Sequence, residues 1–302
     1  MKPRLLVLTG LLVSGVVLGI VIYRAQVQPP VAPTFTSAFQ IFGETVRVAD
    51  RFAGRLMPVN DFDEAALGEA LKSHYIANDT PVDVYVNKIL QDVSAYAKKD
   101  FSYNAYLLDW DVPNAMALPG GLVFVTTGLL ETLDNEAQLA AVLAHEVGHI
   151  ELSHCVDQMK YEITAKKLGV KALGELADMT VRLMIRHSFS KTQEHEADLY
   201  AWTWLSHSRY DPAGVGGSFA ALQRWDRERS HRGADYKPGL LRDYFLSHPP
   251  LPVREQEFSS RADRWWRRHP DEQRYSGVSN LATRDALAEG PGLDEEWVTR
   301  SD

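Results

Sequence analysis

The sequence predicts an α+β fold that is predominantly helical, with a small β-sheet beside one central helix and a single transmembrane helix ahead of the folded domain. Three observations carry this expectation. An uncharged apolar run opens the chain; helical periodicity covers most of the sequence beyond about residue 60, with two short stretches alternating like strands; and one helical segment, apolar nearly all round, carries histidines and a glutamate.

With 302 residues, 45% of them hydrophobic and 24% charged, the chain suffices for one sizeable globular domain plus an appendage. A net charge of −8 offers no basic footprint, so the expectation is no nucleic acid partner. Cys155 is the single cysteine, which excludes an intramolecular disulfide and a cysteine-built zinc site. Any metal must therefore be held by histidine and carboxylate.

Leu5 to Tyr23 are 19 residues without a charge, a helix of about 28 Å, close to a bilayer core. A cleaved signal peptide is the competing reading, but its apolar core runs about 7 to 15 residues and ends at a small-x-small site. The nearest such site here is Thr36-Ser37-Ala38, well downstream, and no cysteine follows the run to accept a lipid. An uncleaved anchor is the expectation. Lys2 and Arg4 precede it and only Arg24 follows closely, which places the short end in the cytoplasm. The protein is then a single-pass inner-membrane protein whose bulk is periplasmic. Gly15 and Gly19 form a GxxxG pair, which leaves a homo-oligomer open.

The domains expected are an anchor over 1–24, a proline-containing linker over 25–40, a globular domain over 41–258, and a C-terminal helix and tail over 259–302. Within them, helices are predicted over 62–76 and 82–98, then strands over 101–110 and 121–128. A long helix follows over 134–159, capped by Asp134 or Asn135, with Gln138 completing a capping box to Asn135. Further helices are predicted over 160–187, 190–208 and 213–229, a loop over 230–239, and a helix rich in arginine and tryptophan from Pro252 to His269, after which periodicity fades.

His145, Glu146 and His149 form an HExxH motif. On a helix the two histidines stand about 40° apart and aim at one point, a pairing that suits zinc. Glu146 is turned about 100° away, placed to take a proton from water rather than to ligate. The apolar flanks Leu139 to Ala144, Val147 and Ile150 argue for burial, where a partnerless His-Glu-His cluster would be costly. His154 lies about 180° round from His145 and cannot join the same ion while the helix continues; the HExxHxxGxxH spacing also fails, because Leu152 stands at the glycine position. The best candidate for the missing ligand is Glu194, with Asp198 one turn later as acceptor for the outer N–H of a ligand histidine. His195 and Glu196 point away and read as surface or packing residues.

The chain resembles the M48 family of zinc metallopeptidases, the HtpX, Ste24, Oma1 and BepA-like proteins, over roughly Phe42 to Phe258. The resemblance rests on five segments in the family's order: "NAMALPGGLVFVTTGLL" (114–130), "LAHEVGHIELSH" (143–154), "FSKTQEHEAD" (189–198), "YDPAG" (210–214) and "SHPPLPVR" (247–254). It implies a zincin-like fold, one Zn2+ on His145, His149 and Glu194, Glu146 as general base, Asp198 as a supporting residue, and His248 near the reacting centre, where it stabilises an oxyanion or occupies the open metal position. Two departures stand out: Lys191 replaces the usual arginine of the SRxxE segment, and one membrane segment replaces several, as in a compact, singly anchored form. The activity implied is endopeptidase cleavage of unfolded or extended polypeptides, a quality-control role. A non-catalytic chaperone and a protease latent through His248 are the alternatives. "PGGLVFVTTG" is expected to be an edge strand that pairs with substrate, and "RADRWWRRHP" (261–270) either packs its tryptophans on the domain or meets a membrane surface.

Overall fold

The helix that carries the two histidines is central among the described residues, and the helices and strand that shape the site pack directly against it. The computed structural model describes residues 61–72, 80–157, 189–230, 251–284 and 296–299. The predicted anchor and linker, the predicted helix over 160–187 and His248 lie outside the described residues. Among the described residues, no helix is long and apolar enough to cross a membrane.

Helix α1 spans Asp61–Lys72 and α2 spans Pro81–Ser94. α2 starts where the sequence supplies both halves of a capping box: the Thr80 hydroxyl accepts from the Asp83 N–H at 3.2 Å, the Asp83 carboxylate accepts from the Thr80 N–H at 3.2 Å, and Pro81 stands at the first helical position. Its buried stripe of Tyr85, Val86, Ile89, Leu90 and Val93 faces the core.

Strands β1 (Asn104–Leu108), β2 (Ala115–Leu118) and β3 (Leu122–Thr126) form one sheet in the order β1-β3-β2. β3 runs parallel to β1 and antiparallel to β2, and all five of its residues are buried. The expectation that "PGGLVFVTTG" supplies an edge strand is therefore corrected: its strand is central, paired on both sides, as its continuous run of apolar residues requires. The edges are β1 and β2, and β2 is too poor in β-branched residues to read as a strand from sequence. The turn between β2 and β3 places Gly120 and Gly121 at φ 77° and 92°, where a Cβ would be strained. Helix α3 (Thr127–Thr132) follows, with the Thr126 hydroxyl capping it from Leu129 N–H.

Helix α4 spans Glu136–Glu151 and is buried at every position from Glu136 to Ile150. The Asn135 side chain caps it by accepting from Gln138 N–H at 3.0 Å, while the Gln138 carbonyl reaches back to the N–H of Asp134 rather than Asn135, so the predicted box closes one residue early. The helix was expected to run to 159; it stops at Glu151, and Ser153 sits in the left-handed region at φ 60° before a helical turn resumes at 154–157. Such a non-glycine conformation costs about 1–3 kcal/mol and needs local support. Lys99 supplies it, its ammonium donating to Ser153 Oγ and Ile150 C=O, both at 2.8 Å, while pairing with buried Glu64 at 2.6 Å.

Around α4 pack α2, β2, α5 (Lys191–His207) and α6 (Gly214–Ser230); α7 (Leu251–Arg268) lies on α6. α5 opens on a second capping box, Ser190 with Gln193. A Cβ added to Gly148 would stand 3.0 Å from Tyr200 Cβ and 3.3 Å from Ala197 Cα, so the glycine between Val147 and His149 sets how closely α5 approaches. The tail, expected to lack periodicity, holds β4 (Arg274–Tyr275), α8 (Val278–Thr283) and β5 (Trp297–Val298), with β4 and β5 antiparallel. Phe258, Tyr275 and Leu281 share the core cluster with α4. Trp266 is buried and donates its indole N–H to Asp211 at 3.0 Å, and half-buried Trp265 stacks on His269.

Candidate metal centre

One turn of α4 separates His145 from His149, and the two imidazoles meet at their Nε2 atoms, 3.0 Å apart. From α5, Glu194 brings one carboxylate oxygen to 3.4 Å from His149 Nε2 and the other to 3.7 Å from His145 Nε2. Zinc–ligand bonds of about 2.0–2.2 Å in a tetrahedron separate neighbouring ligand atoms by roughly 3.3 Å. The three groups are buried and already stand at that spacing.

The donor set suits a cation. Asp198, one turn after Glu194, places Oδ1 2.9 Å from His145 Nδ1. Burial would raise the Asp198 pKa, but the hydrogen bond with His145 and the charge of Arg254 outweigh it and hold the carboxyl below its ordinary value. An ionised Asp198 accepts the Nδ1 proton, so the His145 Nε2 lone pair is aimed into the cluster. Arg254 on α7 clamps the back of the site. Its guanidinium donates to both Asp198 oxygens, at 2.7 and 2.5 Å, and stands 3.0 Å from Glu194 Oε2. Its carbon also lies 4.4 Å from the Phe219 ring centroid. Two buried carboxylates, Asp198 and Glu194, thus meet one guanidinium, with Glu146 buried nearby, and a divalent cation would offset the excess negative charge.

Glu146 points to the sheet. Its Oε2 accepts the Ala117 N–H at 2.8 Å. Ala117 pairs with Val123, and the Asn114 carbonyl accepts from Thr126 N–H, so alternation along β2 turns the backbone N–H and C=O groups of Ala115 and Ala117 to the outer side. The edge of the sheet and the carboxylate thus lie side by side.

The outer nitrogen of His149 has a partner that sequence reasoning set aside. His154 Nδ1 lies 3.0 Å from His149 Nδ1, and His154 Nε2 lies 3.2 Å from Glu196 Oε2. Phe189 stacks on the His149 ring at 3.8 Å. Glu196, expected only to pack or face solvent, thus touches the site through His154; the error came from extending α4 past Ser153. His195 does lie at the surface, half-exposed, with Glu257 at 3.9 Å. Arg254 was missed as well, and its only signal was its place at the end of the "HPPLPVR" segment.

Against known families, residues 77–262 match the description "Peptidase family M48", more than half of the chain. The chain belongs to peptidase family M48. Among curated relatives, it is 29% identical over 178 residues to "Mitochondrial metalloendopeptidase OMA1" of Schizosaccharomyces pombe, covering 56% of this chain and 50% of that protein. It is 30% identical over 170 residues to "Metalloprotease YcaL" of Escherichia coli, covering 53% and 61%. It is 30% identical over 159 residues to the "Beta-barrel assembly-enhancing protease" of Escherichia coli, covering 46% and 32%. The match thus spans about half the length of the first two relatives and a third of the last. The M48 domain of this chain holds its two α4 histidines and the α5 glutamate together, and the family implies a metal cofactor.

Proposed function

We propose that this protein is a membrane-anchored zinc endopeptidase that cleaves unfolded or misassembled polypeptides in protein quality control. The observation that carries the reading is the convergence of His145, His149 and Glu194 beside a carboxylate, Glu146, that is held against a sheet edge. His145, His149 and Glu194 would hold the ion. Bound there, zinc supplies Lewis-acid polarisation of the scissile carbonyl and lowers the pKa of the attacking water.

The rest of the chemistry belongs to the chain. Asp198 and Arg254 keep His145 and Glu194 in orientation, and burial excludes bulk water. With the outward backbone groups of Ala117 held by Glu146 and Cys155, those of Ala115 on β2 pair with an extended substrate, which gives affinity with little demand on sequence and suits unfolded chains. Glu146 takes a proton from the attacking water and delivers it to the departing amine nitrogen, so one water is consumed and an acid and an amine leave. His248 would donate to the developing oxyanion. The segment 5–23 anchors the protein in the inner membrane with the catalytic domain in the periplasm, and extended polypeptides are its partners.

The test is zinc content and casein cleavage by the full chain in detergent. Wild type cleaves, Glu146→Gln keeps zinc and loses at least about 100-fold in turnover, and Glu194→Ala loses zinc. Retained cleavage by Glu146→Gln defeats the mechanism. A wild type that binds zinc but cleaves only as His248→Ala is a latent protease, and zinc binding without cleavage in any form favours the chaperone.

A further inference from the structure

The proposed metal centre is supported on its Asp198 side by a direct carboxylate–histidine contact; on the His149 side the support is longer. A continuous helix would carry His154 about 140° round from His149. The left-handed Ser153 instead folds the chain back, so that the fully buried His149 and the nearly buried His154 meet through their Nδ1 atoms at 3.0 Å. From α5, two residues after Glu194, Glu196 reaches His154 Nε2 at 3.2 Å with a side chain half-exposed to solvent.

With His154 neutral and a cation between the His145 and His149 Nε2 atoms, which stand 3.0 Å apart, donor and acceptor counting leaves one arrangement. An ionised carboxylate only accepts, so His154 Nε2 must carry the proton that meets Glu196. Neutral His154 then has a lone pair on Nδ1, so His149 must carry its proton on Nδ1 and present a lone pair at Nε2. That is the form a metal requires. The opposite set, with the proton on His149 Nε2, would put a bare His154 nitrogen against a carboxylate. We infer that His154 and Glu196 are positioning residues that fix His149 as the Nδ1–H tautomer, with Glu196 acting through His154. Neither touches the ion or the substrate, and the inference rests on the metal-centre reading above.

The geometry explains why the chain accepts a strained serine at 153: without that turn, the ligand's outer nitrogen would lose this partner. One face of α5 thus supplies Glu194 and Asp198 to the ion's surroundings, while Glu196, about 200° round from Glu194, reaches the far side of His149 only through His154.

The experiment is zinc affinity of the full chain by chelator competition, with ring 15N spectra of histidine-labelled, zinc-loaded protein. His154→Phe should raise the zinc Kd about 10- to 100-fold, the range for outer partners of metal ligands, and His154→Gln, whose carbonyl can accept the same N–H, should recover most of that loss. Glu196→Leu, at a half-exposed position that does not endanger folding, should raise Kd about 3- to 10-fold with the melting temperature of the metal-free chain unchanged. The spectra should show His149 protonated at Nδ1 in wild type. Unchanged Kd in Glu196→Leu or in folded His154→Phe overturns the inference while leaving the metal centre intact; no zinc binding by wild type overturns both.

Discussion

Replacing Arg254 with methionine removes the charge at the back of the site, together with the guanidinium's contact to Phe219, while keeping an apolar side chain in its place. The guanidinium is about nine-tenths buried and touches two carboxylates, Asp198 through two hydrogen bonds and Glu194 at 3.0 Å, both buried themselves. Removing it leaves two buried negative charges facing one another, and breaking such a pair costs about 3–5 kcal/mol. For a domain of this size that is a fall in melting temperature of roughly 10 °C in the metal-free chain at pH 7. The pH dependence has a definite sign. In wild type the Asp198 pKa is lowered, so its contribution to stability is present above the unfolded-state pKa and lost as pH falls through the folded one. In Arg254→Met, burial is opposed only by His145, the Asp198 pKa rises, and protonation on acidification relieves the repulsion. The gap between wild type and variant should therefore narrow from pH 7 to pH 4.5, and zinc should narrow it at pH 7. The assay is thermal unfolding followed by circular dichroism, with chelator or with zinc. A loss below about 1 kcal/mol, or a gap indifferent to pH, would refute the clamp.

Other perturbations test separate links. Ala117→Pro removes the N–H that holds Glu146 and disrupts the β2 edge, so it should lower kcat/KM at least about 10-fold with zinc content unchanged. Gly148→Val drives a side chain into Tyr200 and should cost about 1–3 kcal/mol in thermal stability and weaken zinc binding, since α5 carries Glu194. Asn135→Ala deletes the α4 cap and should lower stability by about 0.5–2 kcal/mol without altering zinc stoichiometry.

What could be read from the sequence was local. The i, i+4 histidines, the Asn135 cap and the apolar surround of α4 follow from periodicity and cap chemistry, which a chain writes within a few residues; the boxes before α2 and α5 were missed although their residues stand as close together. The predominantly helical class with a small sheet and the boundaries of α5 and α6 could be read in the same way. So could the pairing of Glu194 with Asp198 on one helical face.

Tertiary structure decided the rest. That β3 is central and β2 an edge depends on which strands lie on either side, and four residues without β-branching announce no strand of their own. The stop at Glu151 turns on a left-handed serine held by Lys99 from some fifty residues earlier, a contact no local pattern contains. That single turn converts His154 from a residue on the wrong face into the partner of His149. Arg254 reaches the site from a helix over a hundred residues beyond the motif, drawn there by buried carboxylates that need its charge. The sequence by itself determined which groups could bind a metal, because ligand chemistry and helical spacing are local; only the packed fold decided their partners, because compensating buried charge and fixing tautomers require groups that are distant along the chain.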